Sequence, residues 1–307
     1  MSASITSPAT SQAQIAASPS RLSAFLWGLL GLAIWSGSFV LTRFGVKSSL
    51  TAYDIIALRF GTGGLLLFPV LWKTGSGLNR LGRSGWVLLV CGAGAPYALL
   101  TATGLRFAPA AQAAALIPGL MTVLVALLGT FLLREKLSPR GWAGILLILG
   151  GALFIVSQSF EAGQSYGHLA FLAAAMLWAA YVIALRGSGI SALHATAIAA
   201  VISALVYLPL YLCFFEKNIT SAPWEDILTQ AIYQGIFTTI IGLVAFNRAV
   251  AGLGAAAGSA LSSLIPVVTV ILGVVFLNET PDITELAAIL LIISGVLCLT
   301  LRRKVPE

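Results

Sequence analysis

Ten stretches of mostly apolar residues alternate with short polar segments along the chain, at 23–43, 53–72, 86–105, 110–133, 140–158, 168–185, 194–215, 227–247, 256–277 and 284–301. A helix needs ~20 such residues to cross the hydrocarbon core of a bilayer. The stretches are too long for strands and lack the ~10-residue alternation of a membrane barrel. In lipid, every backbone N–H and C=O has to be satisfied within its own segment. The pattern therefore predicts an all-α integral membrane protein of ten transmembrane helices.

Composition agrees and removes alternatives. Of 307 residues, 59% are hydrophobic and 9% charged, against roughly 25% charged in soluble domains. The loops are short, so any activity has to be built inside the membrane or at its surfaces, which excludes most soluble enzyme classes. Residues 1–21 form a Ser-, Ala- and Thr-rich segment ending in Arg21 and read as a disordered tail. The first span is too long for the apolar region of a signal peptide. Cys91, Cys213 and Cys298 lie in apolar spans and read as buried small hydrophobes.

The basic residues orient the chain. With the N-terminus inside, the cytoplasmic segments hold 12 of the 17 Lys and Arg residues, including Arg80, Arg83, Arg134, Arg140 and the run Arg302, Arg303 and Lys304. This asymmetry matches the positive-inside rule. Ten spans return the C-terminus to the same side, so both termini are expected in the cytoplasm.

The two halves repeat. Shifted by 144 residues, Leu120–Leu153 falls on Leu264–Leu297 without a gap, pairing Gly129 with Gly273, Glu135 with Glu279 and Gly151 with Gly295. With a shift of 143, Trp35 meets Trp178 and Arg43 meets Arg186. The chain thus divides into a tail (1–21), a first five-helix unit (22–158), a second (166–303) and a short C-terminal tail (304–307). Five is odd, so the second unit is expected upside down relative to the first. Two inverted five-helix repeats are an architecture of secondary transporters.

These residues carry a resemblance. Ile34–Phe39 (IWSGSF), Ala57–Phe60 (ALRF) and two Pro/Glu blocks, Leu116–Glu135 and Leu264–Glu279, together resemble the EamA family of the drug/metabolite transporter superfamily over about residues 22–303. The resemblance implies an inner-membrane carrier of amino acids or other metabolites by alternating access, without naming the cargo. The blocks differ at one point, where Thr122 stands opposite Pro266 and Pro118 lies a turn earlier.

Candidate cavity residues follow from polarity at depth. Arg59 sits well inside the second span, where a cation costs ~2.5–3.5 kcal/mol on insertion scales. It is expected to meet a substrate carboxylate or phosphate, the alternatives being snorkelling or pairing with Asp54. Trp35 and Trp178 occupy matched places, with Ser38 and Tyr181 beside them, and are read as lining both sides of a cavity or packing between helices. Tyr97, Thr101, Gln112, Gln234, Asn247 and Ser263 are read as its polar contacts or as interhelical hydrogen bonds. Pro118 and Pro266 each free a backbone carbonyl and are read as gating bends or static kinks. Glu135 and Glu279, at span ends, are read as structural at the turns, and His168 and His194 as interfacial.

No carboxylate lies deep in a span, as proton-coupled carriers commonly have. With Arg59 in the membrane as well, the cargo is expected to be zwitterionic or anionic, such as an amino acid, moved by facilitated diffusion, export or exchange. No metal, cofactor or nucleic acid is expected; the expected partners are the bilayer and a small molecule. The competing readings, an intramembrane enzyme and a non-transporting scaffold or receptor subunit, lack a catalytic constellation and an account of the repeat respectively.

Overall fold

The structure, a computed structural model, describes residues 20–158, 163–186 and 188–301. The N-terminal tail up to residue 19 and the basic run at 302–304 with the residues after it lie outside the described residues. Among the described residues, ten helices are long and apolar enough to cross a membrane: α1 (Arg21–Lys47), α2 (Ala52–Thr74), α3 (Leu78–Phe107), α4 (Ala110–Leu132), α5 (Pro139–Gln158), α6 (Ser165–Leu185), α7 (Ala192–Phe214), α8 (Trp224–Leu253), α9 (Ala260–Leu277) and α10 (Ile283–Thr300). The described residues contain no strand.

Local chemistry sets the boundaries. The Ser20 hydroxyl accepts from the Ser23 N–H at the start of α1. Thr51 and Asp54 form a reciprocal capping box on α2, and Asp282 caps α10. Such caps occupy N–H groups that the first helical turn leaves without a partner. α4 and α9 stop in the same way. Arg134 and Asn278 adopt left-handed backbone (φ 55° and 53°), and the following Glu135 and Glu279 N–H groups return to the Gly129 and Gly273 carbonyls, both at 3.1 Å.

Three spans are irregular inside. In α3 the helix breaks at Gly94, and the freed Ala95 N–H donates to the buried Ser203 hydroxyl at 2.9 Å. In α8, residues Ala231–Ile241 form a π-helix, a rare form that is frequent at functional sites. α9 is interrupted near its start: a short helix, Ala255–Ser262, ends within it, and regular structure resumes at Ile265–Leu277. Pro266 is therefore the second residue of a helix, where a missing N–H costs nothing, and not a kink in a continuous one. Pro118 does lie within a continuous helix.

Packing follows a regular scheme: α1 lies on α8 and α9, α6 on α3 and α4, α2 on α7, and α5 on α10. The α5–α10 contact is very close. A Cβ at Gly144 would stand 2.7 Å from the Gly295 carbonyl oxygen, and one at Gly295 2.6 Å from that of Gly144. Small residues let membrane helices approach to backbone contact. Outward faces are apolar, with Leu65, Leu146 and Leu153 largely exposed. Trp72, Trp224 and Tyr166, also exposed, stand near helix ends, where aromatic belts meet the membrane interface. Cys213 is exposed on this outer face and not buried as expected.

Candidate substrate cavity

A cavity of about 490 Å³ opens between the helices, within the size of small-molecule sites. Trp35 and Ser38 of α1, Arg59 of α2, Tyr97 and Thr101 of α3, Pro118 of α4, Trp178 of α6, Gln234 of α8, and Ser263 and Pro266 at the start of α9 all line it. Ten of the residues expected from the sequence are thereby brought together.

Three are not. Gln112 is buried elsewhere, its Oε1 2.7 Å from His168 Nε2, where it joins α4 to α6. Tyr181 stands edge-on behind Trp178, with ring centroids 5.5 Å apart, and supports the wall without reaching the lumen. Asn247 is exposed on the outer face of α8. The two histidines also differ from expectation. Both are buried, His168 against Gln112 and His194 Nε2 2.8 Å from the Gly75 carbonyl.

Arg59 is the charged group of the cavity. Its Nε is buried and has no hydrogen-bond partner among the described residues. The ion pairs among those residues are Arg43–Glu279 and Arg186–Glu135, so Arg59 has no carboxylate partner there. Pairing with Asp54 does not occur. That carboxylate is engaged by the Tyr211 hydroxyl at 2.6 Å, the Thr51 hydroxyl at 2.8 Å and the Asn218 N–H at 3.1 Å. The guanidinium carbon lies 5.6 Å from the Phe60 ring centroid, a cation–π contact that offsets part of its desolvation. A planar fork of donors without an acceptor is suited to a carboxylate or phosphate.

The cavity walls are mostly apolar, with the rings of Trp35, Phe39, Tyr97, Trp178 and Phe246 among them. Trp178 tilts against Tyr97 with centroids 4.7 Å apart, and Trp35 against Phe246 at 5.3 Å. Gly242 leaves the room for this, since a Cβ there would lie 2.7 Å from the indole nitrogen of Trp35. Gln234 lines the cavity but is engaged with α1. It accepts from the Ser38 hydroxyl at 2.8 Å and donates to the Thr42 hydroxyl at 2.9 Å. Thr42, Ser262 and Thr300 also line the cavity without standing out in the sequence. A hydroxyl in an apolar span reads the same whether it faces a lumen or bonds its own helix.

The family model for EamA-like transporters matches residues 22–157 and, a second time, residues 165–301. The chain belongs to the EamA-like transporter family. This EamA protein is 27% identical to an uncharacterized transporter of Archaeoglobus fulgidus, over 89% of this chain and 96% of that one. It is 31% identical to the aromatic amino acid exporter YddG of Ancylobacter novellus, over 54% of this chain and 59% of that protein. It is 26% identical to a protein of Streptantibioticus cattleyicolor described as a probable terminal-alkyne amino-acid exporter, over 92% of this chain and 95% of that one. A crystal structure that covers 92% of this EamA chain and 98% of its own superposes with a TM-score of 0.59 at 25% identity.

Proposed function

We propose that this EamA transporter carries a small zwitterionic or anionic metabolite, an amino acid in the first place, across the cytoplasmic membrane by alternating access. The observation that carries the reading is Arg59, a guanidinium without a carboxylate partner among the described residues, in a cavity walled by Trp35, Tyr97 and Trp178. A cargo carboxylate supplies the missing acceptor, and an apolar or aromatic side chain fits the ring-lined wall. Two relatives named as amino-acid exporters support this cargo class. Release to the outside, or exchange, is the direction that accords with those names.

Inverted repeats with both termini in the cytoplasm give the mechanism its symmetry. Helix contacts occur in exchanged sets, α1 on α8 and α9 against α6 on α3 and α4, while α2 meets α7 and α5 meets α10. These are the contacts expected of two five-helix units related by a two-fold axis in the membrane plane. Each unit can then adopt the other's packing, so outward-open and inward-open states lie close in energy.

Counterflow in proteoliposomes tests the reading. Vesicles holding the purified chain and an excess of unlabelled amino acids should accumulate labelled aromatic or aliphatic amino acid transiently, and the matched amine lacking the carboxylate should not enter. Uptake of the decarboxylated amine at the rate of the amino acid would overturn the assignment of Arg59.

A further inference from the structure

Two Arg–Glu pairs join the two halves of the chain crosswise. Arg43 of α1 meets Glu279 beyond α9, and Arg186 beyond α6 meets Glu135 beyond α4. Arg43 and Arg186 are matched positions of the repeat, as are Glu135 and Glu279. The two glutamates also leave their helices through the same left-handed turn, after Arg134 and Asn278. Consecutive spans joined by short turns run antiparallel, so the two pairs sit at opposite ends of the bundle.

The pairs are chemically alike but differently engaged. Arg43 Nε donates to Glu279 at 2.7 Å while its Nη1 donates to the Leu105 carbonyl at 2.5 Å. Glu279 in turn accepts from the Ala110 N–H at 3.0 Å. This knot ties the end of α3 and the start of α4 to α1 and α9. Its side chains are 11% and 21% exposed, against 40% and 53% for Arg186 and Glu135. The second pair is held more loosely, at 3.2 Å. Among the described residues neither of its members bonds the α8–α9 turn around Gly254, which stands where the α3–α4 turn stands in the other half.

The cavity lies between the two pairs. Its lining runs from Thr42 and Leu105, next to the Arg43 knot, to Val182, one turn before Arg186, and Thr300 at the end of α10.

We infer that the two pairs are the paired gates of the carrier: Arg43–Glu279 seals one end in this structure, and Arg186–Glu135 seals the other by tying down the α8–α9 turn in the alternate state. This rests on the carrier reading above and adds to it the groups that hold each state. A buried, multiply bonded pair favours the state in which it is complete, and its loss shifts the population toward the other. The removal of either pair therefore has opposite effects on access from a given side.

The test reads access without needing the cargo. In full-length protein with Cys91, Cys213 and Cys298 replaced by Ala, Thr122 of α4, which also lines the cavity, serves as reporter in Thr122→Cys. A membrane-impermeant maleimide is applied to right-side-out and inverted vesicles. Labelling should be faster from the Glu135 face. Arg43→Ala and Glu279→Gln should raise labelling from the Arg43 face roughly tenfold or more, the change in population for each ~1.4 kcal/mol removed from one state. Glu135→Gln should lower labelling from that same face. The Gln at 279 keeps an acceptor for the Ala110 N–H, so the variant remains informative should the Ala variant misfold. Unchanged labelling from the Arg43 face in both Arg43→Ala and Glu279→Gln overturns the gates and leaves the carrier reading intact. No labelling of Thr122→Cys from either face in the parent protein overturns the carrier cavity, and the gates with it.

Discussion

Replacing Arg59 by Met should make the empty protein more stable and its cargo binding weaker. The side chain is an unpaired cation partly withdrawn from water, with a buried Nε that finds no acceptor among the described residues. A mid-span cation costs ~2.5–3.5 kcal/mol on insertion scales, and cavity water and the Phe60 ring return part of this. Met keeps the apolar stem at similar bulk, so the empty variant should gain about 1–2 kcal/mol, as when buried charges give way to apolar isosteres. Binding moves the other way. Charge-assisted hydrogen bonds contribute about 1.5–3 kcal/mol, so losing the carboxylate contact should weaken cargo binding roughly 10- to 150-fold at 1.4 kcal/mol per tenfold. Thermal unfolding of the detergent-solubilised protein, with and without amino acid, reads both effects at once. The unliganded midpoint should rise in Arg59→Met, and the ligand-induced shift should nearly vanish. Lys at this position keeps the charge but not the fork, and should retain part of the shift. A lower midpoint with an undiminished ligand shift would refute the reasoning, because it would make Arg59 a structural cation with a partner.

Other changes isolate other parts of the structure. Trp178→Leu removes the ring tilted on Tyr97 and should reduce discrimination in favour of aromatic over aliphatic cargo by about 0.5–1.5 kcal/mol, read by competition in counterflow. Gly295→Val forces side-chain atoms toward the Gly144 carbonyl and the Ile148 backbone nitrogen, 2.6 and 2.9 Å from the Cβ. With backbone on both sides it should cost about 2 kcal/mol or more, measured by unfolding in mixed micelles. Ser203→Ala leaves the Ala95 N–H without its acceptor at the Gly94 break and should cost about 1–3 kcal/mol in the same assay. At the start of α10, the Thr284 hydroxyl and then the Glu285 N–H hold the Asp282 carboxyl below its ordinary range. Its capping contribution is present above the unfolded-state pKa and is lost only as pH falls through the lower folded value. Exchange of the Glu285 amide should therefore stay protected into mildly acid solution.

The ten spans are legible in the sequence because apolar length is a direct physical requirement of the bilayer. Their ends are less so. The apolar run of α3 starts at residue 86, but helical structure begins at Leu78 and is broken at Gly82 (φ 66°); the stretch with Arg80 and Arg83 looks like loop by hydropathy. The π-helix of α8 has no sequence period of its own and leaves no trace there. Arg59 stands out because a charge at depth is costly, and Trp35 and Trp178 because a large ring rarely recurs at matched positions by chance. Gln112 and Asn247 look the same in sequence as Gln234, since composition gives a residue's depth but not its direction. One turns to His168, one to the outside and one to the cavity wall. The gates are half legible. The repeat matches Arg43 with Arg186 and Glu135 with Glu279, but that each Arg meets the Glu of the other half is a fact of helix packing alone.

The repeat also shows where the two halves cease to be equivalent. Trp35 and Trp178 are matched, and both lie near the middle of their helices, so they present similar walls in either state. Arg59 has no such counterpart: the residues 143 and 144 positions on are Ile202 and Ser203. It also lies nearer one end, about 10 Å along α2 from its start beside the Arg43 knot, at 1.5 Å per residue. A cargo acid held there points toward the Arg43 end, with its side chain among the rings at mid-depth. When the Arg43 knot opens, the acid is the first group to meet water; when the opposite end opens, it is the last. On the proposed reading, a carrier built of two inverted units is thus asymmetric in its binding site. Arg59→Met should therefore alter apparent affinity more on one side of the membrane than on the other, and counterflow measured in right-side-out and inverted vesicles should show that difference. Equal loss on both sides would place the acid near the two-fold axis, among the tryptophans, and not at the Arg43 end.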